Sequence, residues 1–275
     1  MRKRERLQQV GLALLLGLLS LGVLYPFSWM VLTGFKTPEE AYQWPPSLWP
    51  QGWTLDNYKS LFSAVPLGRA LWNSLWTSAL LATSNLALAS LAAYALSRLS
   101  FRGREWLFQA HILSMLLPWQ ITLIPTFLLV RAMGLVDTFA GYILPSLTSG
   151  YAVYVLVQYR KTFPRSLEES VLVDGGTPLT ALVRVVLPLS RGALVVLWIL
   201  LFLAHWQAFI WPSVVLSSPE RMVLPVALLA VQNHYAVHIP LLMAGTTLMA
   251  LPPVLVYLFF QKHLQNPEIF SGFKG

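Results

Sequence analysis

The chain has 275 residues, 56% of them hydrophobic and only 11% charged, with 19 basic residues, 11 acidic residues and no cysteine. An average soluble domain carries roughly 25% charged residues, so water is not the main solvent of this chain. The net charge of +8 lies in short segments between apolar runs, which argues against a nucleic-acid-binding stripe, and the lack of cysteine removes disulfides, thiolate metal sites and cysteine nucleophiles.

A helix crossing a hydrocarbon layer about 30 Å thick needs about 20 mostly apolar residues at 1.5 Å rise each. In chain order, the stretches 10–33, 70–97, 106–130, 139–158, 193–216 and 240–260 meet that need. The expected fold is all-α: a polytopic membrane protein with about six transmembrane helices, one domain over 1–275 and a core bundle at about 68–262. The first stretch follows Arg2, Lys3, Arg4 and Arg6, the charge pattern of a signal peptide. Its apolar run is too long and lacks a small-residue cleavage pattern, so it reads as a retained anchor. Trp29, Trp72, Trp106 and Trp211 fall near span ends, where an apolar ring with a polar N–H is favoured. Spans tolerate Pro26, Pro118 and Pro125 where neighbours satisfy the freed carbonyls, and Ala89, Ala92 and Ala93 allow close helix approach.

Basic residues are retained on the cytoplasmic side. Alternating the segments leaves only Lys36, Lys59, Arg69, Arg131 and Arg221 on one side, with the other fourteen of the 19 basic residues opposite them. Both termini are therefore expected in the cytoplasm. The outer segments are then 35–67 and 217–238, and the longest inner connection, about 160–190, is the place to look for a partner.

That inner connection reads as helix, turn, helix. Ser166 with Glu169 three residues on has the form of a capping box. Asp174, Gly175 and Gly176 form a turn, after which Thr177 and Pro178 suit an N-cap and first helical position. Leu179, Leu182, Val183 and Val186 fall at helical spacing and make an apolar stripe, to be buried either on this protein's own helix ends or on a partner. Glu169 fits a cap, alone or with a partner contact, and Arg184 fits a topology charge or a partner contact equally.

The run Glu169, Asp174-Gly175, Leu187-Pro188 resembles the cytoplasmic motif of ABC importer permeases, an E-A-A, then glycine, then a distal Leu-Pro or Ile-Pro; Ser170 and Val171 stand where two alanines are usual. Phe35-Lys36-Thr37-Pro38-Glu39-Glu40, Leu55-Asp56-Asn57-Tyr58, Asn73-Ser74, Ala93-Tyr94-Ala95, Trp211-Pro212 and Lys274-Gly275 are similar, in order, to the smaller membrane subunit of maltose-type carbohydrate importers. The resemblance implies a coupling helix seated in a cleft of an ATPase subunit. Its residues would be drawn from Glu168, Glu169, Asp174, Gly175, Thr177, Pro178, Leu179, Leu182, Val183, Arg184 and Pro188. The implied partners are a second permease subunit, two copies of a cytoplasmic ATPase, an extracytoplasmic solute-binding protein and membrane lipid, with no nucleic acid. The implied location is the bacterial inner membrane.

The sequence holds no G-x-x-x-x-G-K-[ST] phosphate loop, so ATP hydrolysis is expected on another chain, with no catalytic residue, cofactor or metal here. His234 and His238 have ligand-like spacing but no accompanying motif. Polar side chains deep in spans need a partner or a water-lined path. Asn85, Gln109 and His111 are candidates for either role, as are the pairs of aromatic and polar groups Trp119-Gln120 and His205-Trp206-Gln207. A polyol or glycerol phosphate importer is the alternative within the class. An ion-driven transporter would carry intramembrane acids, whereas all 11 here fall outside or at the edge of the spans. No grouping of nucleophile, base and orienting residue supports a membrane enzyme, and a noncatalytic scaffold stays open.

Overall fold

The computed structural model describes residues 2–234 and 238–264. Among them the secondary structure is helical throughout, with fifteen α-helices, most of them joined by short connections. Four helices are long and apolar enough to cross a membrane, and six crossings result if two bent pairs each count as one. The all-α, multi-pass expectation holds. The terminal Lys274-Gly275 motif lies outside the described residues.

The helices divide into two compact units, one drawn from Met1–Gly68 and Ala227–Pro252, the other from Arg69–Val226 and Pro253–Gly275. In the first unit, α1 (Arg2–Thr33) is apolar around its circumference and exposed along its apolar run, from Val10 through Phe27. Such a surface calls for hydrocarbon or another protein as its solvent. Beyond it the chain folds back through α2 (Pro38–Ala41) and α3 (Asp56–Ala64). The residues of the two outer motifs converge there. Asn57 Nδ2 donates to the carbonyls of Gly34 at 3.0 Å and Lys36 at 2.8 Å. Glu40 accepts from Ser47 Oγ at 2.9 Å and the Gln51 amide at 2.8 Å, while Lys36 donates to the Ser47 carbonyl beneath the Trp29 ring. Burial by itself would raise the Glu40 carboxyl, but these donors and the nearby lysine outweigh it and hold it below the usual range. At Gly34 an added Cβ would lie 2.9 Å from Tyr58 Oη and 3.2 Å from the Ala244 backbone, so only glycine lets these segments meet. His238 Nδ1 accepts the Leu241 amide at 3.2 Å and caps α15 (Ile239–Leu264); the His234 side chain lies outside the described residues.

The second unit is built on α4 (Leu67–Arg98), whose 32 residues suffice for a full crossing. Several of its buried polar groups have fixed partners. Asn73 Nδ2 donates to the carbonyls of Glu220 and Met222, both at 3.0 Å, and Ser74 Oγ accepts the Leu224 amide at 2.7 Å. Hydrocarbon is as apolar as a leucine core, so such hydrogen bonds and close packing, rather than exclusion of water, hold spans together. A core of Leu81, Val130, Tyr142, Ile143, Val215 and Leu216 packs with Trp76, Phe139 and Trp211, and Trp211 Nε1 donates to the Tyr142 carbonyl at 3.0 Å. The connection before α7 (Phe139–Ile143) is pinned by Asp137, whose carboxylate accepts from the amides of Ser217 and Ser218, both at 2.9 Å, and from Arg221 at 2.8 Å.

Three expected spans are not single unbroken helices. The fourth runs as α7, a 3₁₀ turn at Leu144–Ser146 and a further helix from Gly150. The third is α5 (Arg104–Leu116) and α6 (Gln120–Ala132), meeting at 101°. Leu117 takes an extended conformation ahead of Pro118, as steric clash with a following proline ring requires. The fifth ends its helix α12 (Arg191–Trp206) at Gln207 and resumes as α13 (Ile210–Val215).

Candidate functional site

Two places in the second unit concentrate the residues singled out above. The first is the inner connection after α8 (Gly150–Lys161). Helix α9 spans Ser166–Val173, so Ser166 is already helical; Arg165 is at the N-cap and makes no side-chain cap hydrogen bond. The expected capping box is therefore not formed. Instead Glu168, one residue before Glu169, turns inward and accepts from Arg98 Nε at 2.7 Å. Arg98 also donates through Nη2 to the carbonyls of Arg160 and Phe163, both at 3.0 Å. One guanidinium thus closes the C-terminus of α4, the orphan carbonyls at the end of α8 and the first turn of α9. Both side chains of the Arg98–Glu168 pair are about nine-tenths buried. Glu169 stays exposed.

Helix α9 ends in a Schellman arrangement. The Gly176 amide donates to the Val171 carbonyl at 2.8 Å and the Gly175 amide to Leu172 at 3.1 Å, with Gly175 left-handed at φ +83°. Asp174 is the C-cap. Thr177 then caps α10 (Pro178–Ala181), its hydroxyl accepting the Thr180 amide at 3.2 Å with Pro178 at the first helical position. The helix continues through a π turn at Leu182–Val186 into α11 (Leu187–Leu189). The expected apolar stripe divides here. Leu182 and Val186 are buried against Tyr94 and Leu187, whereas Leu179 is 60% and Val183 53% exposed. Val173 is 86% exposed before the turn, and Arg184 and Pro188 are exposed beyond it. The outcome is an apolar ledge standing outward from a segment that is tied inward by charge and packing.

The second place is a cleft of about 550 Å³ lined by Asn85, Trp119 and His205 together with Thr122, Thr126, Ser146, Thr148, Ser149 and Trp211. The bend at Pro118 presents Trp119, and Asn85 Nδ2 is held by the Ser146 carbonyl at 2.8 Å. Hydroxyls beside broad aromatic faces suit a polyhydroxylated solute, whose rings offer both O–H groups and apolar C–H faces. Of the other candidates, Trp206 is 1% exposed and stacked on Phe202 at 6.0 Å inside the bundle. Gln120 and Gln207 are exposed but outside the lining. His111 Nε2 contacts the Gly150 carbonyl at 3.0 Å, joining α5 to α8. The threonines were missed, although Thr122 and Thr126 recur at i, i+4 after Trp119, a hydroxyl stripe on an otherwise apolar helix.

Residues 85–266 match the family described as "Binding-protein-dependent transport system inner membrane component". The arabinooligosaccharides transport system permease protein AraQ of Bacillus subtilis (strain 168) is 30% identical over 270 residues, 97% of this chain and 96% of that protein. The inner membrane ABC transporter permease protein YcjP of Escherichia coli (strain K12) is 30% identical over 276 residues, 99% of each. The fold is similar to a chain of a bacterial ABC transporter involved in the import of the acidic polysaccharide alginate, with TM-score 0.83 and 23% identity over 94% of this chain and 96% of that one. The match spans the inner connection, the cleft and most of the second unit, and the chain accordingly belongs to the binding-protein-dependent transport system inner membrane components, the permease subunits of ABC importers.

Proposed function

We propose that this chain forms half of the translocation pathway of a carbohydrate importer in the bacterial inner membrane. A second permease subunit supplies the other half, and two copies of a cytoplasmic ATPase supply the energy. An extracytoplasmic binding protein delivers the solute. The bundle at about 68–262 is the transmembrane domain, and the inner connection at about 160–190 is its coupling element. The observation that carries this reading is the ledge formed by Leu179, Val183 and Val173, apolar and exposed on a segment whose first helix is clamped to α4 by the Arg98–Glu168 pair. An apolar surface in a water-facing loop requires a cover, and a partner cleft that moves would move α4 through the buried ion pair. Glu169, Arg184 and Pro188 on the exposed side supply polar and shape contacts at the rim. The cleft with Trp119, His205 and its threonines serves as this chain's share of the solute path. Relatives that include an arabinooligosaccharide permease support a sugar as the solute.

The test is co-purification of the ATPase with the chain carrying Leu179→Glu and Val183→Glu, followed by hydrolysis stimulated by binding protein and sugar in lipid. Both side chains are exposed, so the variant is expected to fold and to lose the ATPase. Normal assembly and coupling would remove the ledge from this role.

A further inference from the structure

The inner end of the second unit contains a smaller cavity of about 300 Å³, apart from the large cleft and adjoining the inner connection at Arg98, Phe163 and Arg165. Its basic walls are Arg98, Arg104, Lys161 and Arg165, with Glu105 the one carboxylate among its lining residues, and its apolar walls include Phe108 and Val157. Among the described residues, Arg98 is the one of these cations with a carboxylate partner, Glu168, while Lys161 Nζ stands 5.8 Å from the Phe108 ring centre and Arg104 donates to the Leu99 carbonyl at 3.4 Å. Next along α8, Arg160 is 1% exposed, faces the Tyr94 ring at 5.6 Å, and among the described residues has no hydrogen-bond acceptor for any guanidinium nitrogen. Five cations therefore share two carboxylates at the edge of a low-dielectric bundle, an excess that an anion would relieve.

The location identifies the anion. Arg98 is the last residue of α4, Arg104 the first of α5 and Lys161 the last of α8, so the cations stand where membrane-crossing helices meet the water interface. Helix α5 buries none of its residues, and Trp106 and Leu107 on it are 80% and 58% exposed, leaving an apolar wall along which acyl chains can lie below the charges. We propose that this cavity binds the phosphate of an anionic phospholipid head group, with Arg104, Lys161 and Arg165 as its ligands. A basic recess between helix ends on the cytoplasmic side is the form such sites take. A lipid held there would neutralise the surroundings of the Arg98 clamp and brace the junction of α4, α5 and α8.

The assembled importer, purified in detergent and stripped of lipid, is to be titrated with phosphatidylglycerol or phosphatidylcholine, and bound lipid counted by native mass spectrometry. The wild type is expected to retain phosphatidylglycerol selectively. Each basic residue near an anionic lipid contributes about fivefold, so Lys161→Gln/Arg165→Gln should weaken retention by about thirtyfold, Arg104→Gln by about fivefold, and Lys59→Gln, on the other side, not at all. Lys161 and Arg165 are exposed, so the pair is expected to assemble normally, as checked by size exclusion. Equal retention of the two lipids, unchanged retention in the double variant, or release of phosphatidylglycerol by millimolar inorganic phosphate would overturn the proposal.

Discussion

Arg98 Nε and Glu168 Oε1 stand 2.7 Å apart across 70 residues of sequence, with both side chains almost withdrawn from solvent. Removing one member of a buried pair leaves the other charged and unpartnered, at about 3–5 kcal/mol, whereas replacing both with apolar groups can be nearly neutral. Arg98→Leu and Glu168→Leu are each expected to lower the melting temperature of the assembled importer and its sugar-stimulated ATP hydrolysis. The double variant should regain most of the stability but not the coupling. A double-mutant cycle on melting temperature, read beside hydrolysis, separates the two effects.

At Gly175 a Cβ would meet nothing within 4 Å, so substitution tests backbone conformation alone. Holding a residue other than glycine at φ +83° costs roughly 1–2 kcal/mol, and less for asparagine. The expected order of stimulated hydrolysis is wild type, Gly175→Asn, Gly175→Ala and Gly175→Val, with Gly175→Pro lowest.

Asp137 is held in the left-handed region at φ 57° by four donors. Burial pushes its carboxyl upward, but Ser218, Ser217 and Arg221 outweigh it and leave it well below the usual carboxylate range. A depressed folded-state value means stability that is present above the unfolded value and is lost as pH falls through the folded one. Asp137→Asn tolerates the same backbone angle, and it should cost about 1–3 kcal/mol at neutral pH. The gap from wild type should persist through mildly acidic pH and narrow only below the ordinary carboxylate range, as measured by melting temperature against pH.

Trp119 lines the large cleft, and its neighbour Gln120 does not. Trp119→Ala should therefore raise the sugar concentration for half-maximal transport by about fivefold, the equivalent of about 1 kcal/mol of aromatic contact. Trp119→Phe should retain most of the affinity and Gln120→Ala all of it. Transport in proteoliposomes with a fixed binding-protein concentration reads the difference.

Hydropathy and short-range chemistry made much of this protein legible from its residues alone. A bilayer imposes the same length requirement on every span, so apolar runs of about 20 residues reveal crossings without any knowledge of their neighbours. The Gly175 turn and the Thr177-Pro178 cap were equally legible, because their hydrogen bonds close within five residues. Arg98 and Glu168, Asn85 and Ser146, and Asn73 and Met222 meet across 70, 61 and 149 residues, distances over which no local rule acts. Only the packed helices decided that Glu168 rather than Ser166 orders the start of α9 and that Leu182 turns inward while Leu179 and Val183 face out. They also decided that Trp206 joins the core while Trp119, His205 and three threonines share a cleft. Each of these outcomes depends on which helix lies opposite, and for the spans themselves, where the medium dissolves every apolar face equally, packing and paired polar groups alone make that choice.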